Sequence, residues 1–288
     1  MDHRRTIGER MNTIGVIGAK GMLGYAVSNY FASRGNTVVA ISRDNFDIVK
    51  DPLEKLEQLL SDCNVVINCA GVIKPQIAKM PIEDVIRVNS IFPKNLALLC
   101  NRMNIKCFHI TTDCVYTGAK GNYTENDFFD ADDTYGMTKN AGESAKCMVL
   151  RTSIVGEENG QSRSLIEWAK GQRRKKVNGF VNHFWNGVTT VHLAEIIEKI
   201  LDQYLYNDGV YHIHSPNSVS KKDLLEILNN VYDLNLEIAP AEAPQFCDRT
   251  MSSKYSLSKM LCTKTIQMQL FEMRDFFESI NIPVHDLS

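Results

Sequence analysis

The sequence predicts an α/β fold in which a doubly wound parallel sheet is joined to a smaller C-terminal domain. Three observations carry that expectation. Short apolar strand-like runs alternate with amphipathic helical runs as far as Leu150, the pattern of a parallel sheet with helices on both faces. The first strand leads straight into a glycine-rich turn, Gly18-Ala19-Lys20-Gly21-Met22-Leu23-Gly24, and then into a helical pattern. Beyond Arg151 the alternation gives way to a less regular mixture of helices and short extended pieces, as expected of a smaller substrate-binding part.

Asn12 to Ile17 reads as a short buried strand, and the helix after the turn runs through Leu23, Val27, Tyr30 and Phe31 to Gly35. Strand, glycine turn and helix are the context of a dinucleotide (Rossmann) fingerprint. Gly18, Gly21 and Gly24 allow a tight turn and close backbone approach, and the helix N-terminus, flanked by Lys20, Met22 and Leu23, receives a pyrophosphate. The spacing is G-x-x-G-x-x-G rather than the commoner G-x-G-x-x-G. The second strand, Thr37 to Ile41, ends at Ser42-Arg43, where an acidic residue often holds an adenosine ribose hydroxyl. A small hydroxyl, an arginine and nearby Lys20 suit a 2′-phosphate, so NADP(H) is expected over NAD(H). The competing reading leaves Arg43 merely exposed and gives the ribose to Asp44.

Asp47 and Ile48 end the next stretch, where they can flank the adenine, and Leu53 to Leu60 is an amphipathic helix. Val65-Val66-Ile67 is a buried strand that delivers Asn68-Cys69-Ala70-Gly71 to the carboxyl edge, where open α/β sheets bind ligands. A long helix follows from around Ile82 to Met103, entered through Pro81; Asn89 inside it is read as a buried residue bridging backbone groups. Strand Ile105 to Ile110 brings Thr111-Thr112-Asp113-Cys114-Val115-Tyr116 to the same edge, and Met148 to Arg151 is the last strand of the series. Helices are then expected at Ser164 to Gln172, Gly187 to Tyr206 after a short extended piece, Ser220 to Tyr232 and Thr265 to Ile280, with a strand from Gly209 to His214. Residues 12–156 are expected to form the cofactor-binding domain with 188–214 returning to it, and 157–187 with 215–288 the substrate domain. The first eleven residues are treated as a loose extension.

Tyr135-Gly136-Met137-Thr138-Lys139 follows an acidic loop, Asp130, Asp132, Asp133 and Thr134, that provides an N-cap. On a helix Tyr135 and Lys139 share one face. An ammonium beside a phenol favours phenolate, which would make Tyr135 a proton donor near neutral pH. The pair alone is equally compatible with a surface tyrosine beside a surface lysine; the neighbouring motifs decide for chemistry.

Composition narrows the classes. A net charge of −2 argues against a nucleic-acid polymer as partner. No apolar run reaches the ~20 residues that span a bilayer, so no membrane association is expected. Eight cysteines lack C-x-x-C pairs and metal-like spacing, which points to reduced thiols, a cytoplasmic setting and no metal. Arg173-Arg174-Lys175-Lys176 reads as a solvated helix end, with contact to a phosphorylated substrate as the alternative.

Gly18-x-x-Gly21-x-x-Gly24, Asn68-Cys69-Ala70-Gly71, Thr112 ahead of Val115-Tyr116, and Tyr135-x-x-x-Lys139, in that order, resemble the extended short-chain dehydrogenase/reductase family. The chain is most similar to its dTDP-4-dehydrorhamnose reductase branch, through Ile110-Thr111-Thr112-Asp113, Tyr135 to Glu143, Leu150-Arg151-Thr152-Ser153 and Asp248-Arg249. The resemblance implies NADPH-dependent reduction of a nucleotide-linked 4-keto-6-deoxy sugar. Tyr135 would be the proton donor, Lys139 the anchor of the nicotinamide ribose and Thr112 the hydrogen-bond partner of the reacting oxygen. It further implies substrate contacts at Val72, Lys74, Asp113 and Arg249, and it is compatible with a homodimer. The usual proline just before the tyrosine is absent, Asp133-Thr134 standing there.

Cys114 stands where rhamnose reductases have tyrosine and where the related epimerase-reductase GDP-fucose synthase has cysteine. Lys170, in Leu165-Ile166-Glu167-Trp168-Ala169-Lys170, takes the place of that enzyme's histidine. A thiol and an ammonium across a 4-keto sugar could exchange protons at carbons 3 and 5, so a combined 3,5-epimerase and 4-reductase is a second expectation. The alternative for these two residues is a small wall residue and a solvent-facing lysine. A third possibility is a non-catalytic regulatory subunit that keeps the cofactor, against which the complete Thr112, Tyr135 and Lys139 set argues.

Overall fold

The computed structural model describes residues 11–158, 160 and 164–281. The loose extension expected at the start falls, apart from Met11, outside these residues. The chain alternates as expected: β1 (Thr13–Ile17), α1 (Met22–Ser33), β2 (Thr37–Ile41), α2 (Leu53–Leu59), β3 (Val65–Asn68), α3 (Lys74–Ile77), α4 (Ile82–Ile86), α5 (Phe92–Arg102), β4 (Lys106–Thr112), α6 (Thr134–Ala141) and β5 (Met148–Thr152). It continues through β6 (Ile154–Val155), α7 (Leu165–Gly171), β7 (Lys176–Phe180), β8 (His183–Trp185), β9 (Val188–Thr189), α8 (Thr190–Asp202) and β10 (Gly209–His212). The last elements are β11 (Val219–Ser220), α9 (Lys221–Val231), β12 (Glu237–Ala241), β13 (Cys247–Asp248), α10 (Leu257–Leu261) and α11 (Ile266–Asn281).

Six strands form one parallel sheet in the order β10-β5-β4-β3-β1-β2. Strand periodicity sorts its side chains into two cores. Ile14, Val16, Val65, Ile67, Phe108, Ile110, Met148 and Leu150 face α1 and α8. Ile17, Val66, Cys107 and Val149 face α2 and α5. All the polar loops named in the sequence therefore emerge at the carboxyl edge, beside one another. Helix α8 is buried along most of its length, and β10 pairs with β5 in register Gly209↔Met148 to His212↔Arg151.

Buried Arg151 locks that outer edge. Its guanidinium donates to both carboxylate oxygens of Glu143 (3.0 and 2.6 Å) and to the Tyr116 hydroxyl (2.9 Å), and lies 2.7 Å from Nε2 of His212. Burial, followed by Arg151 itself, lowers the His212 pKa to about 4, so the imidazole is neutral and accepts. The small C-terminal strands pair at long range: β7 with β12, β8 between β11 and β13, and β6 with β9. Under them α7, α9 and α11 bury Ile166, Leu224, Leu228, Leu270 and Met273 together with Trp185.

The long helix expected from Ile82 to Met103 is interrupted. Residues Arg87–Ile91 form a π-helical turn between α4 and α5. The widened turn carries Asn89.

Candidate active site

The glycine turn sits at the end of β1. Gly18 has φ +81°, a conformation that favours glycine, and its N–H donates to the Ile41 carbonyl at 2.9 Å. A Cβ on Gly24 would lie 2.1 Å from the Gly18 carbonyl oxygen, so α1 can start this close to the strand only with glycine there. No side chain caps α1 and no acidic residue stands in its first turn, which leaves its positive end available to an anion. Met22 is half-buried beside it, while the Leu23 side chain belongs to the core.

At the end of β2, Lys20 is ion-paired with Asp44 and holds that carboxyl below its ordinary pKa. The Ser42 hydroxyl accepts from the Asp44 N–H at 3.3 Å. Arg43 is exposed and makes no hydrogen bond or ion pair among the described residues. Of the two cations expected at the 2′-position, Arg43 alone is unengaged. Asp47 is occupied with its own turn, accepting from the Val49 N–H at 2.9 Å, and Ile48 packs inward.

The end of β3 is held open by polar contacts. Asn68 accepts from the Ala70 N–H (3.1 Å) and its amide meets Nδ1 of His109 (3.1 Å). Burial pushes the Cys69 thiol well up. Gly71 faces Lys139, whose Nζ would lie 3.6 Å from a Cβ placed there. From the π turn, Asn89 accepts the Val72 N–H (2.8 Å) and donates to the Val72 carbonyl and to the Thr138 hydroxyl (both 3.1 Å). It thus bridges backbone groups, as the sequence reading has it, and fastens the β3 loop to α6.

Helix α6 starts at the Asp133 cap, which accepts from the Gly136 N–H at 2.7 Å. Lys139 is buried and donates to the Ile110 carbonyl at 3.0 Å. Burial lowers its pKa to about 8, against the pull of Glu143 and Cys69. Thr112 is buried; its hydroxyl donates to Asp113 and accepts from the Cys114 N–H, both at 3.1 Å. The Tyr135 phenol is shifted upward by burial first and Cys114 next, with Thr112 opposing. This corrects the expectation that Lys139 depresses the phenol. The shared helix face brings the two residues together, but the ammonium is directed to Ile110 and burial dominates at Tyr135. The phenol consequently keeps its proton at neutral pH, the form an acid requires.

Burial, with help from buried Asp113, raises the Cys114 thiol to about 12 against Arg249, Thr112 and Lys74, so it is protonated at neutral pH. Lys74 is ion-paired with Asp133 and lies 5.9 Å from the Tyr135 ring centre. Arg249 donates from Nε to the Tyr116 carbonyl at 2.8 Å. Lys74 and Arg249 thus both act on Cys114, next to Thr112 and Tyr135.

Lys170 does not join them. It pairs with Glu157 (3.3 Å) and Glu167 (3.1 Å) and lies 4.8 Å over the Tyr232 ring. Helix α7 buries Ile166 and Ala169, which turns the next position toward its own acidic neighbours. The cations that act on the Cys114 thiol are Arg249 and Lys74, and Lys221, at the start of α9, feels Asp113 and Cys114 in turn. Its capping context, Ser220-Lys221-Lys222-Asp223, reads in sequence as an ordinary helix start. Trp185, which lines a cavity with Lys221, Met22 and Ser153, was equally unmarked.

Comparison with known proteins identifies the family. The family model described as RmlD substrate binding domain matches residues 11–287. The chain is 27% identical over 271 residues to the dTDP-4-dehydrorhamnose reductase of Aggregatibacter actinomycetemcomitans, covering 85% of this chain and 90% of that one. It is 33% identical over 163 residues to the protein of the same name from Mycolicibacterium smegmatis, a match spanning 54% of this chain and only 49% of that relative. Among solved structures, the Bacillus anthracis dTDP-4-dehydrorhamnose reductase in complex with NADP superposes with a TM-score of 0.76 at 18% identity, over 94% of this chain and 100% of that one. Because the family match runs through nearly its whole length, the chain belongs to the RmlD substrate-binding-domain family.

Proposed function

We propose that this protein reduces a nucleotide-linked 4-keto-6-deoxy sugar with NADPH, as a dTDP-4-dehydrorhamnose reductase-like enzyme. The observation that carries the reading is the convergence of Thr112, Tyr135 and Lys139 beside the glycine turn and the unengaged Arg43. The turn fits the cofactor: it offers an uncapped helix end, a backbone that excludes a Cβ, and a free arginine at the ribose edge. Cofactor contacts are assigned to Gly18, Gly21, Met22, Leu23, Gly24, Ser42, Arg43, Cys69, Ala70, Gly71, Tyr135 and Lys139. When bound, NADPH supplies the hydride that carbon 4 accepts. Tyr135, held protonated, gives its proton to the carbonyl oxygen, and Thr112 orients that oxygen. Lys139, beside the Ile110 carbonyl, is assigned to anchor the nicotinamide ribose.

Residues 12–156 with 188–214 are taken as the cofactor part, and the remainder as the nucleotide-sugar part with Val72, Lys74, Asp113 and Arg249 at their junction. Exposed Ile82, Ile86, Ile91 and Leu98 support a homodimer, and eight free cysteines support a cytoplasmic setting. Incubation with NADPH and a panel of dTDP-, UDP- and GDP-linked 4-keto-6-deoxy sugars, followed by NMR of the products, tests the reading. Absence of NADPH oxidation with every sugar would leave the regulatory-subunit reading in its place.

A second reading, epimerisation at carbons 3 and 5 before reduction, is favoured by the half-buried Cys114 beside Thr112. Its protonated thiol suits the acid that returns a proton to the carbon, whereas Lys170, the residue expected to take one off, is paired with Glu157 and Glu167 instead. Deuterium uptake at those carbons from deuterated water, lost in Cys114→Ser, is the test; a wild-type protein that takes up none is a plain reductase.

A further inference from the structure

His109, on β4 ahead of Thr112, is a buried histidine that the chemistry above leaves unused. It is 1% exposed, and its register partner on β3 is Asn68, itself fully buried. Nδ1 of the imidazole lies 3.1 Å from the Asn68 amide nitrogen, and the Asn68 amide oxygen accepts from the Ala70 N–H, also at 3.1 Å. One link in this chain has no freedom. A backbone N–H only donates, so Asn68 must turn its oxygen to Ala70 and its NH2 group to His109. An NH2 group offers only donors, so Nδ1 must present a lone pair and the ring proton sits on Nε2. A backbone amide on one strand end thereby dictates the tautomer of a side chain on the next strand.

No acceptor meets that proton. Nε2 is buried without a hydrogen-bond partner among the described residues, and so is the hydroxyl of Thr111, which lies two residues on along the same face of β4. A buried donor without an acceptor opposes folding. Protonation of the second nitrogen is opposed as well, since burial and then Lys139 hold the His109 pKa well below its ordinary value. The ring thus costs stability at one nitrogen, and what it supplies is the lone pair at the other.

The turn steadied by that lone pair is the one that lies on the glycine turn. A Cβ on Gly18 would sit 2.9 Å from the Ala70 nitrogen, 3.0 Å from the Ala70 Cα and 3.1 Å from the Cys69 carbonyl carbon. The Ala70 N–H is therefore both the group that Asn68 holds and the nearest neighbour of Gly18 on this side. One residue on, a Cβ at Gly71 would lie 3.5 Å from the Asn89 amide oxygen and 3.6 Å from the Lys139 Nζ. Displacement of this turn is transmitted to the glycine turn on one side and to Lys139 on the other.

We propose that His109 is a positioning residue of the dinucleotide site: as the Nε2–H tautomer it orients Asn68, which holds the Cys69–Gly71 turn against the glycine turn. This rests on the cofactor reading above. Arg43 stands apart, beyond the end of β2, so His109 should support NADPH and NADH alike.

The test is fluorescence titration of the full chain with NADPH and NADH, paired with nitrogen-15 NMR of the histidine rings; thermal unfolding checks that each variant is folded. The wild-type His109 ring should carry its proton on Nε2. His109→Leu should weaken both cofactors equally, by roughly 5- to 100-fold, the usual range of coupling between a group and a site it does not touch. His109→Asn should restore most of that loss, because its amide oxygen can stand where Nδ1 stands. His109→Gln should not, because its amide reaches the Nε2 position instead, and it replaces the leucine variant if that fails to fold. Asn68→Asp keeps an acceptor for Ala70 but turns a second one to His109, so it should bring a proton onto Nδ1. A wild-type ring protonated on Nδ1, or an unchanged tautomer in Asn68→Asp, overturns the proposal. Cofactor affinities unchanged in His109→Leu, or a loss for NADPH alone, overturn it and leave the cofactor reading intact. So does a loss in His109→Asn as large as in His109→Leu, which would make the ring core packing only. Wild type that binds neither NADPH nor NADH overturns both.

Discussion

Replacing Lys139 by methionine should change how stability depends on pH. Burial lowers the Lys139 pKa from its ordinary 10.5 to about 8. Below about pH 8 the folded and unfolded chains both hold the proton, and folding must bury a charge. Between about pH 8 and 10.5 the unfolded chain keeps the proton while the folded chain has released it. In that window each rising unit of pH favours the folded state by ~1.36 kcal/mol. The contribution is therefore fully present above 10.5 and is lost as the pH falls through about 8.

From pH 8 to pH 10 the gain is about 2 kcal/mol, with little solvent screening because Lys139 is only 5% exposed. Neighbouring Cys69 adds no compensating charge, since burial keeps its thiol protonated there. Urea unfolding of wild type and Lys139→Met at pH 7 and pH 10 gives a double difference in which the other titrating groups cancel. Wild type should gain roughly 2–3 kcal/mol on the variant between the two conditions. Parallel profiles would refute a buried, neutralisable ammonium. A shift of opposite sign would mean that an anion, rather than the Ile110 carbonyl, dominates around it.

The other expectations are direct. Tyr135→Phe should lower turnover by roughly 10²- to 10⁴-fold with NADPH affinity nearly unchanged, measured by steady-state kinetics and fluorescence titration; near-normal turnover would remove Tyr135 from the chemistry. Arg43→Ala should weaken NADPH binding by roughly 10-fold or more and spare NADH, whereas equal loss for both cofactors would make the residue structural. Lys170→Ala should leave kcat and KM close to wild type and alter stability by no more than ~1 kcal/mol, as for a partly exposed ion pair. A large fall in turnover in that variant would return Lys170 to the site.

Much of the sheet was legible because its strands obey local rules. Val65-Val66-Ile67 and Met148 to Leu150 are buried on both faces and read as continuous apolar runs. Glycines at 18 and 24 are required by backbone geometry that a sequence displays openly. The Asp133 cap and the common face of Tyr135 and Lys139 follow from helix spacing alone. What stayed hidden depends on partners distant in the chain. Whether Lys139 neighbours a phenol or a carbonyl is decided by β4, and whether Lys170 or Lys221 enters the cleft is decided by which helix face is buried. Long, flexible side chains place their charges several ångströms from their Cα, so periodicity locates the stem and not the head. The π turn was hidden for a similar reason: one extra residue in a helical turn leaves the apolar pattern nearly intact. The two- and three-residue strands of the C-terminal part are too short for alternation to show.

The seam between β5 and β10 has a consequence for how the protein is made. A ribosome delivers the N-terminal strands first, and those through β5 are enough to begin a sheet. Yet β5 then presents an open edge with a run of unpaired backbone groups, a known template for self-association. Arg151 at that edge has Glu143 and Tyr116 in reach, but its third partner, His212, has not been synthesised. The face that α8 covers is bare for the same interval. The nascent cofactor-binding half therefore remains unfinished until Gly209–His212 emerges, and a truncated product ending near residue 156 should behave as an aggregation-prone fragment rather than as a working dinucleotide domain. A chaperone that shields β5 while translation runs on through α7 and α8 would be acting at the most vulnerable point of the chain.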